Sequence, residues 1–204
     1  MTAAQAYAPG NLIPNQMDAI ASDRRPSSAT MPLVFVDTET TGLDPRSGDR
    51  IVEVACVEVL DGHLTGREFH RLVNPQRPVP MVVTEIHGID DEMLRNQPTF
   101  QNIAPELTLF VANSRTVIHN APFDLGFFAA EFERLGAFVP QLMSPEQSID
   151  TLPLFRQLHP GTRCSLSALC LRYDIVPTAA ERWHSALTDA RMLARLWLAA
   201  RLRP

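Results

Sequence analysis

Four acidic residues in the chain occupy positions where a charged side chain is costly. Asp37 and Glu39 directly follow the apolar run Leu33–Val36, which has the composition of a buried strand. If the strand continues, residues two apart point to the same face, so the two carboxylates lie side by side. Asp189 opens an apolar helical stripe, and Asp124 lies at the edge of another. Like charges held together need a positive partner.

Helical spacing directs Asp189 and Asp124 inward. Leu193, Leu196 and Ala200 follow Asp189 at i+4, i+7 and i+11 and form one continuous stripe. Any one of these acids alone is more simply interpreted as a capped or hydrogen-bonded structural residue. Together they favour another interpretation, because inward acids cost free energy unless paired and the chain has no inward-facing run of arginines. Glu131 and Glu133, on the same helix as Asp124, are predicted to be solvated.

A hard metal cation satisfies such a set of acids. Carboxylates without cysteine or several histidines favour Mg²⁺ or Mn²⁺ over zinc. Four carboxylates can hold two divalent ions, and two ions roughly 4 Å apart are the usual apparatus for cutting phosphodiesters. His184 lies near the start of the helix that carries Asp189 and is a candidate to take the proton of the attacking water. Without the acids, His184 would be interpreted as an exposed helix-start histidine.

An α/β domain must position these residues. Strands are predicted over Leu33–Asp37, 51–60 and 67–75, with a turn at 61–66, which indicates an antiparallel meander. Helical periods then alternate with short strands and indicate a mixed sheet with helices on both faces. Strands are expected at 115–120 and 147–150, and helices at 99–113, 122–136, 151–158, 165–172 and 185–201. Asp150 is predicted to be a helix N-cap and Cys56 a core residue.

Composition bounds the class of protein. The chain has 204 residues, of which 45% are hydrophobic, and this suits one globular domain over 32–204 behind a flexible extension over 1–31. Three cysteines without C-x-x-C spacing fit a reducing compartment. No apolar run reaches membrane-spanning length and no secretion signal is visible, so a cytoplasmic protein is expected. All basic residues are arginine, which excludes P-loop and Schiff-base chemistry.

Three segments carry a family resemblance. The stretches "FVDTETTGLD", "VIHNAPFDLGFF" and "HSALTDARMLARLW" resemble, in order, the three motifs of the DEDDh 3′→5′ exonuclease family. The stretches "EIHGIDDEML" and "HPGTRCSLSALCLRYDI" are also similar to the proofreading epsilon subunits of bacterial replicative DNA polymerases. The similarity extends from about Pro32 to Ala200. It implies an RNase H-like fold, a mixed five-stranded sheet flanked by helices, and release of nucleoside monophosphates from a 3′ end.

The resemblance also assigns residues, and this chain departs from the pattern at none of its five central positions. Asp37, Glu39, Asp124 and Asp189 are implied to bind two divalent ions, Mg²⁺ or Mn²⁺, and His184 to be the general base. Residues that follow the first acid pair are implied to approach the terminal nucleotide: Thr40, Thr41, Gly42 and Leu43. Further motif positions near the substrate are His87, His119, Asn120 and Phe123. Core packing explains Phe123 equally well.

The resemblance leaves partner and role open. The implied substrate is the 3′ end of single-stranded or frayed DNA, and a DNA polymerase is considered as a partner. Because the chain stops at Pro204 after the last motif, no C-terminal polymerase-binding extension is expected, and a stand-alone repair exonuclease is an equal alternative. The net charge of −5 predicts contacts to only a few terminal nucleotides and distributive action.

Other activities are also considered. A ribonuclease T-like enzyme that trims RNA 3′ ends shares the "HSAL-x-D" form of the third motif, but that family depends on basic patches, which the acidic balance disfavours. A haloacid-dehalogenase-like phosphatase needs a second aspartate where Glu39 stands and normally a lysine. A non-catalytic module with this fold would be expected to lack one of the five motif residues, and all five are present.

Overall fold

A mixed five-stranded sheet forms the centre of the computed structural model, which describes residues 31–137, 140, 143–179 and 181–202. The strands are β1 (Leu33–Thr40), β2 (Ile51–Leu60), β3 (His63–Leu72), β4 (Arg115–Ile118) and β5 (Ile149–Asp150). Their order is β3-β2-β1-β4-β5, antiparallel from β3 to β1 and parallel from β1 to β5. The predicted meander and mixed sheet are confirmed. The predicted flexible extension falls, apart from Met31, outside the described residues.

The hairpin between β2 and β3 is tighter than predicted. Asp61 and Gly62 have φ angles of 52° and 79°, so both central residues of the turn lie in the left-handed region. Two-residue turns of this kind match the twist of the flanking strands, and Asp-Gly is a preferred pair for them. The predicted turn over 61–66 was therefore wrong in extent, because β3 begins at His63.

Seven helices surround the sheet in the described part of the chain. They are α1 (Met81–His87), α2 (Asp91–Leu94), α3 (Phe100–Val111), α4 (Ala121–Arg134), α5 (Thr151–Leu158), α6 (Leu166–Arg172) and α7 (Ala186–Ala199). The helices from α3 onward lie where periodicity predicts them, to within about two residues, which is the usual uncertainty of helix ends. The short helices α1 and α2 were not predicted. No described helix combines the length and apolarity that crossing a bilayer requires.

Both faces of β1 are buried, which explains its unbroken apolar run. Val34 and Val36 pack with residues of α3 and α4, while Leu33 and Phe35 pack with α7. The rings of Phe35 and Trp197 meet edge to face, with centroids 6.0 Å apart. Burying each such side chain contributes roughly 1.5–3 kcal/mol. The strand is therefore a rigid support for the acids at its end.

An internal ion pair fixes α4 to the start of β2. Arg50 Nε and Nη2 donate to the two carboxylate oxygens of Glu131, at 2.6 and 2.8 Å, and Glu131 is 1% exposed. The prediction that Glu131 is solvated was wrong, because an arginine from another element reaches it, whereas Glu133 is exposed as predicted. A buried pair of this geometry holds the helix in register with the sheet.

The sheet opens beside the end of β1. Pairing between β1 and β4 stops at Val36 and Ile118, so the segment from Asp37 to Thr40 has only β2 as a neighbour in the ladder. The helix α4 follows β4 at this edge. The crevice beyond the carboxyl ends of parallel strands is where α/β sheets usually bind ligands.

Candidate active site

Asp37 and Glu39 lie on one face of β1, as their spacing predicts. The strand continues through Thr40, so the two side chains follow Leu33 and Phe35 on the face covered by α7. The register with β2 shifts between Glu39 and Thr40, where the ladder contains a bulge. Bulges next to active sites re-aim side chains at the end of a strand.

Asp189 joins them from α7. The carboxylate oxygens that Asp37, Glu39 and Asp189 can offer to a metal all lie within 4.8 Å of one another. Asp189 Oδ1 is buried and has no hydrogen-bond partner in the described part of the chain. A buried carboxylate oxygen without a donor is costly. The donor set and this orphaned oxygen fit a hard divalent cation.

Asp124 reaches the same place from the opposite face of the sheet. It is 4% exposed, and its Oδ1 accepts a hydrogen bond of 2.7 Å from Thr38 Oγ1. Its charge raises the pKa of Asp37 and of Glu39, so it is electrostatically part of the cluster, although the 4.8 Å group does not include it. Thr38 thus orients the fourth acid toward the other three.

Burial, together with repulsion from neighbouring acids, raises the pKa of all four carboxyl groups. Burial is the largest cause in each case, and the neighbouring carboxylates add to it for Asp37, whose pKa lies well above its ordinary value. The pKa of Glu39 is raised to about 8, by burial and then by Asp189 and nearby acids. Burial raises the pKa of Asp124 and of Asp189 to about 7. Such a cluster favours a bound cation, since positive charge stabilises the ionised forms.

His184 is exposed and directly precedes Ser185, the N-cap of α7, and a backbone hydrogen bond from His184 to Asp189 brings it next to the cluster. Its φ of 60° is in the left-handed region, an unusual conformation for a histidine and one that persists only when its surroundings enforce it. The preceding segment is tied to α7, because both carboxylate oxygens of Glu181 accept from Arg195 at 3.0 Å. Arg191 adds a longer contact to Glu181, 3.6 Å.

Glu53 is a residue of this site that the sequence prediction missed. It is 3% exposed and lies directly opposite Glu39 in the β1–β2 ladder. Its charge raises the pKa of Asp37, Glu39 and Asp189. The sequence did contain a signal: Glu53 shares its strand face with the apolar Ala55, Val57 and Val59, as Asp189 shares its stripe with leucines.

Internal hydrogen bonds stabilise the loop after Glu39, while the side chain of Leu43 stays exposed. Thr40 Oγ1 donates to the Gly42 carbonyl at 2.6 Å, and Thr41 Oγ1 donates to Asp49 Oδ1 at 3.0 Å. A Cβ atom added at Gly42 would lie 2.2 Å from Asp49 Oδ2, so a larger residue would have to displace the Asp49 carboxylate. Leu43 is 83% exposed. Of these four predicted substrate residues, Leu43 alone projects a large side chain into solvent.

His87 lies inside the protein, 5% exposed, at the end of α1. Its Nδ1 accepts from the Ile89 backbone N–H at 3.0 Å, and its Nε2 has no hydrogen-bond partner among the described residues. Burial lowers the pKa of His87. The guanidinium of Arg182 lies over the next residue, where a Cβ added to Gly88 would be 2.6 Å from Nη1. His87 therefore adjoins the His184 segment.

The other motif positions are engaged within the protein. Both ring nitrogens of His119 have partners, Thr151 Oγ1 and the Cys164 carbonyl, each at 2.9 Å. Asn120 is exposed, with a φ of 67°, and its backbone N–H donates to Asp150 Oδ1 at 3.0 Å. Asp150 also accepts from the Leu152 N–H at 3.0 Å, which confirms it as the N-cap of α5. Phe123, partly buried, packs against the core.

Comparison with known proteins agrees with this geometry. The model of the Exonuclease family matches residues 34–197, which include all four acids and His184. The chain belongs to the Exonuclease family. It is therefore a nuclease, and the resemblance predicted from the three motifs is confirmed.

Individual relatives and solved structures are also similar to this exonuclease. It is 42% identical over 165 residues to the DNA polymerase III subunit epsilon of Rickettsia felis, a match that covers 81% of this chain and 72% of the relative. It is 30% identical to Exonuclease X in complex with 5′ overhanging duplex DNA, with a TM-score of 0.65 over 81% of this chain and 89% of that one. The nuclease domain of 3′hExo, a DEDDh family member bound to rAMP, shares the fold at 15% identity, with a TM-score of 0.71 over 84% and 92% of the two chains. The predicted RNase H-like fold is confirmed.

Proposed function

We propose that the chain is a 3′→5′ DNA exonuclease that releases nucleoside monophosphates by hydrolysis, with two divalent ions, Mg²⁺ or Mn²⁺, held by Asp37, Glu39, Asp124 and Asp189. The observation that carries this proposal is the convergence of carboxylate oxygens of Asp37, Glu39 and Asp189 within 4.8 Å of one another. Asp189 Oδ1 is also buried and has no hydrogen-bond partner among the described residues. Hydrolysis of a phosphodiester is the chemistry for which such acid clusters are used.

The bound ions would activate the attacking water and stabilise the leaving oxygen. The protein itself supplies positions and a proton acceptor. Thr38 fixes the orientation of Asp124 through its 2.7 Å hydrogen bond. His184 is exposed and adjoins Asp189, and its neutral imidazole takes the proton from the water as general base.

The terminal nucleotide binds against the loop after Glu39. Leu43, 83% exposed, contacts the last base, and Gly42 allows the DNA strand to approach the protein backbone. Thr40 and Thr41 shape the loop through their internal hydrogen bonds. The remaining motif positions act by holding the surrounding segments: His87, His119, Asn120 and Phe123. His87 is buried, and His119 is hydrogen-bonded at both ring nitrogens.

DNA is the proposed substrate because of the relatives. The epsilon subunits belong to DNA polymerase III, and the Exonuclease X structure contains duplex DNA. Seven arginines are occupied by carboxylate partners in the described part of the chain: Arg50, Arg67, Arg71, Arg77, Arg134, Arg191 and Arg195. With a net charge of −5, we expect contacts to a few nucleotides of a single-stranded or frayed 3′ end and distributive action.

A bacterial DNA polymerase in the cytoplasm is the proposed partner.

The test is degradation of matched DNA and RNA oligonucleotides, labelled at the 5′ end, with Mg²⁺, Mn²⁺ or EDTA. Wild type is expected to shorten DNA from its 3′ end with either metal and to be inactive in EDTA. Asp37→Ala should reduce the rate by about 10³-fold or more, because loss of a metal ligand removes several kcal/mol of transition-state stabilisation. Faster cleavage of RNA would instead support the ribonuclease T-like alternative, and an inactive wild type would refute the enzyme proposal.

A pull-down from the source cell tests the partner. Co-purification of a DNA polymerase with the wild-type chain would support a proofreading role. A polymerase that is absent from the eluate, together with full activity of the isolated chain on DNA, would favour stand-alone repair. High processivity on long single strands without a partner would contradict the proposed distributive action.

A further inference from the structure

Glu53 brings a fifth carboxylate to a site already crowded with acids. Directly opposed residues of an antiparallel pair have Cβ atoms about 4.5–5.5 Å apart, and like charges there are destabilising. Glu53 occupies that position relative to Glu39 and is 3% exposed. A buried acid in so unfavourable a place needs partners of its own.

Those partners belong mainly to the start of α7. Glu53 Oε1 accepts from Ser185 Oγ at 3.1 Å, and Oε2 accepts from the Ala186 backbone N–H at 2.9 Å. His70 Nε2 on β3 lies 2.6 Å from Oε1. Both oxygens of Glu53 are thus engaged, and Glu53 is not among the acids of the described residues whose carboxylate oxygens lie within 4.8 Å of one another.

Glu53 caps α7 from the neighbouring sheet. Ser185 is the N-cap residue, yet its side chain makes no cap hydrogen bond within its own helix. Its hydroxyl turns to Glu53 instead, and the free N–H of Ala186, which a cap must satisfy, also points to Glu53. A carboxylate at a helix N-terminus is favourable for the helix dipole as well.

This cap secures two residues of the proposed machinery. His184 immediately precedes Ser185 and holds a φ of 60°, a conformation that neighbouring contacts must enforce. Asp189 lies in the first turn of the same helix, and its backbone N–H donates to the Ser185 carbonyl at 2.9 Å. If the start of α7 moved, both the general base and one metal ligand would move with it.

We propose that Glu53 is a positioning residue for the reaction: through Ser185 and Ala186 it sets His184 and Asp189 against the acids of β1. The proposal rests on the proposed function of the site. It assigns Glu53 neither to the metal ligands nor to proton transfer, since its oxygens are occupied by the start of α7 and by His70.

Two substitutions separate position from charge. Glu53→Gln and Glu53→Ala remove the same charge, but glutamine keeps the length of the side chain and an oxygen that accepts from the Ala186 N–H. Glu58→Gln is the matched control. Glu58 is a buried acid of the same strand, 5% exposed, whose carboxylate pairs with Arg67 and with Thr65 rather than with α7.

The measurements are kcat and KM on a DNA oligonucleotide, Mn²⁺ titration of the DNA-free protein, and Tm. We expect Glu53→Ala to lower kcat by about 100-fold with little change in KM, because a misplacement of about 1 Å has an effect of that order. We expect Mn²⁺ binding of Glu53→Ala to be weaker than that of Glu53→Gln by about 10-fold or more, as for lost outer-shell support. Glu53→Gln should recover most of kcat, and Glu58→Gln should keep wild-type kcat whatever its Tm.

Two results would overturn the proposal. Equal losses in Glu53→Gln and Glu53→Ala would show that charge, not position, is what matters. A loss of kcat in Glu58→Gln as large as in Glu53→Ala would show that general destabilisation explains both. An inactive wild-type enzyme would refute the proposed function, while the Mn²⁺ titrations of the same variants would still decide whether Glu53 positions Asp189.

Discussion

Raising the pH of the metal-free protein should destabilise it. The carboxyl groups of Glu39, Asp124 and Asp189 have ordinary pKa values of 4.5, 3.8 and 3.8, and in the folded protein these rise to about 8, 7 and 7. Between these limits the folded state binds more protons than the unfolded state, so the free energy of unfolding falls as pH rises. The stability contributed by the protonated acids is complete below about pH 4 and is lost through about pH 8.

The pKa of Glu39 sets the scale of the effect. Its rise from 4.5 to about 8 corresponds to at most about 5 kcal/mol, at about 1.4 kcal/mol per pKa unit. The carboxylate is only partly buried, so water screens it, and we expect roughly half of that. For a protein of this size about 1 kcal/mol moves Tm by about 2–4 °C. The metal-free Tm should therefore drop by about 5–10 °C between pH 5 and pH 8.5.

Thermal unfolding of protein stripped of metal with EDTA and dialysed, across pH 5 to 9, measures this drop. Excess Mn²⁺ at pH 8.5 should restore the lost Tm, since a ligand that binds only the folded state stabilises it. Glu39→Gln should make the metal-free profile shallower, because it removes one of the four acids whose pKa is raised. Glu92→Gln, which removes an exposed acid on α2, should leave the profile unchanged. A metal-free Tm that stays level or rises with pH would refute the electrostatic reasoning for the site.

Three further predictions concern the machinery around the acids. His184→Gln should lower kcat at saturating Mn²⁺ by about 10²–10⁴-fold while Mn²⁺ binding of the DNA-free protein stays unchanged; a kcat within a few-fold of wild type would remove His184 as the base. Gly42→Ala should reduce both Tm and activity, because its Cβ would clash with Asp49, whose two oxygens are both hydrogen-bonded. Gly126→Ala in α4 should preserve activity, because a Cβ there would make only an ordinary contact, 4.0 Å from Pro45 Cγ. Leu43→Ala should raise KM for DNA several-fold at unchanged Tm; an unchanged KM would exclude a contact to the terminal base.

The parts of the fold that the sequence predicted are those in which one local pattern settles the structure. β-branched runs and an Asp-Gly turn predicted the meander, and apolar stripes predicted the helices from α3 to α7. The helices α1 and α2 were missed because each buries a single residue, His87 and Leu94, and so shows no apolar stripe. Glu131 was misjudged for a different reason: its partner Arg50 lies 81 residues away in the chain, and spacing along one helix carries no information about it.

The motifs name candidate residues of the site, and the structure places these candidates in different ways. His119 matches a motif position and was expected near the substrate, yet both of its ring nitrogens bind Thr151 and the Cys164 carbonyl. A motif includes every residue that the site requires, including residues that support the site without contacting the substrate. Burial and hydrogen bonding separate the two groups, with Leu43 and His184 exposed and His87 and His119 turned inward.

Glu53 shows how a residue that is turned inward and supports the site can be recognised from sequence. An acid that shares one strand face with Ala55, Val57 and Val59 must be buried if that face is covered, and a buried acid must find donors. The strand cannot supply them, because its own N–H groups are used in the ladder. The donors therefore come from the end of a packed helix, where N–H groups are free, and the helix that covers this face is the one that carries Asp189. The same cost of burial that points to the proposed metal ligands thus also indicates the residue proposed to hold the helix of Asp189 in place.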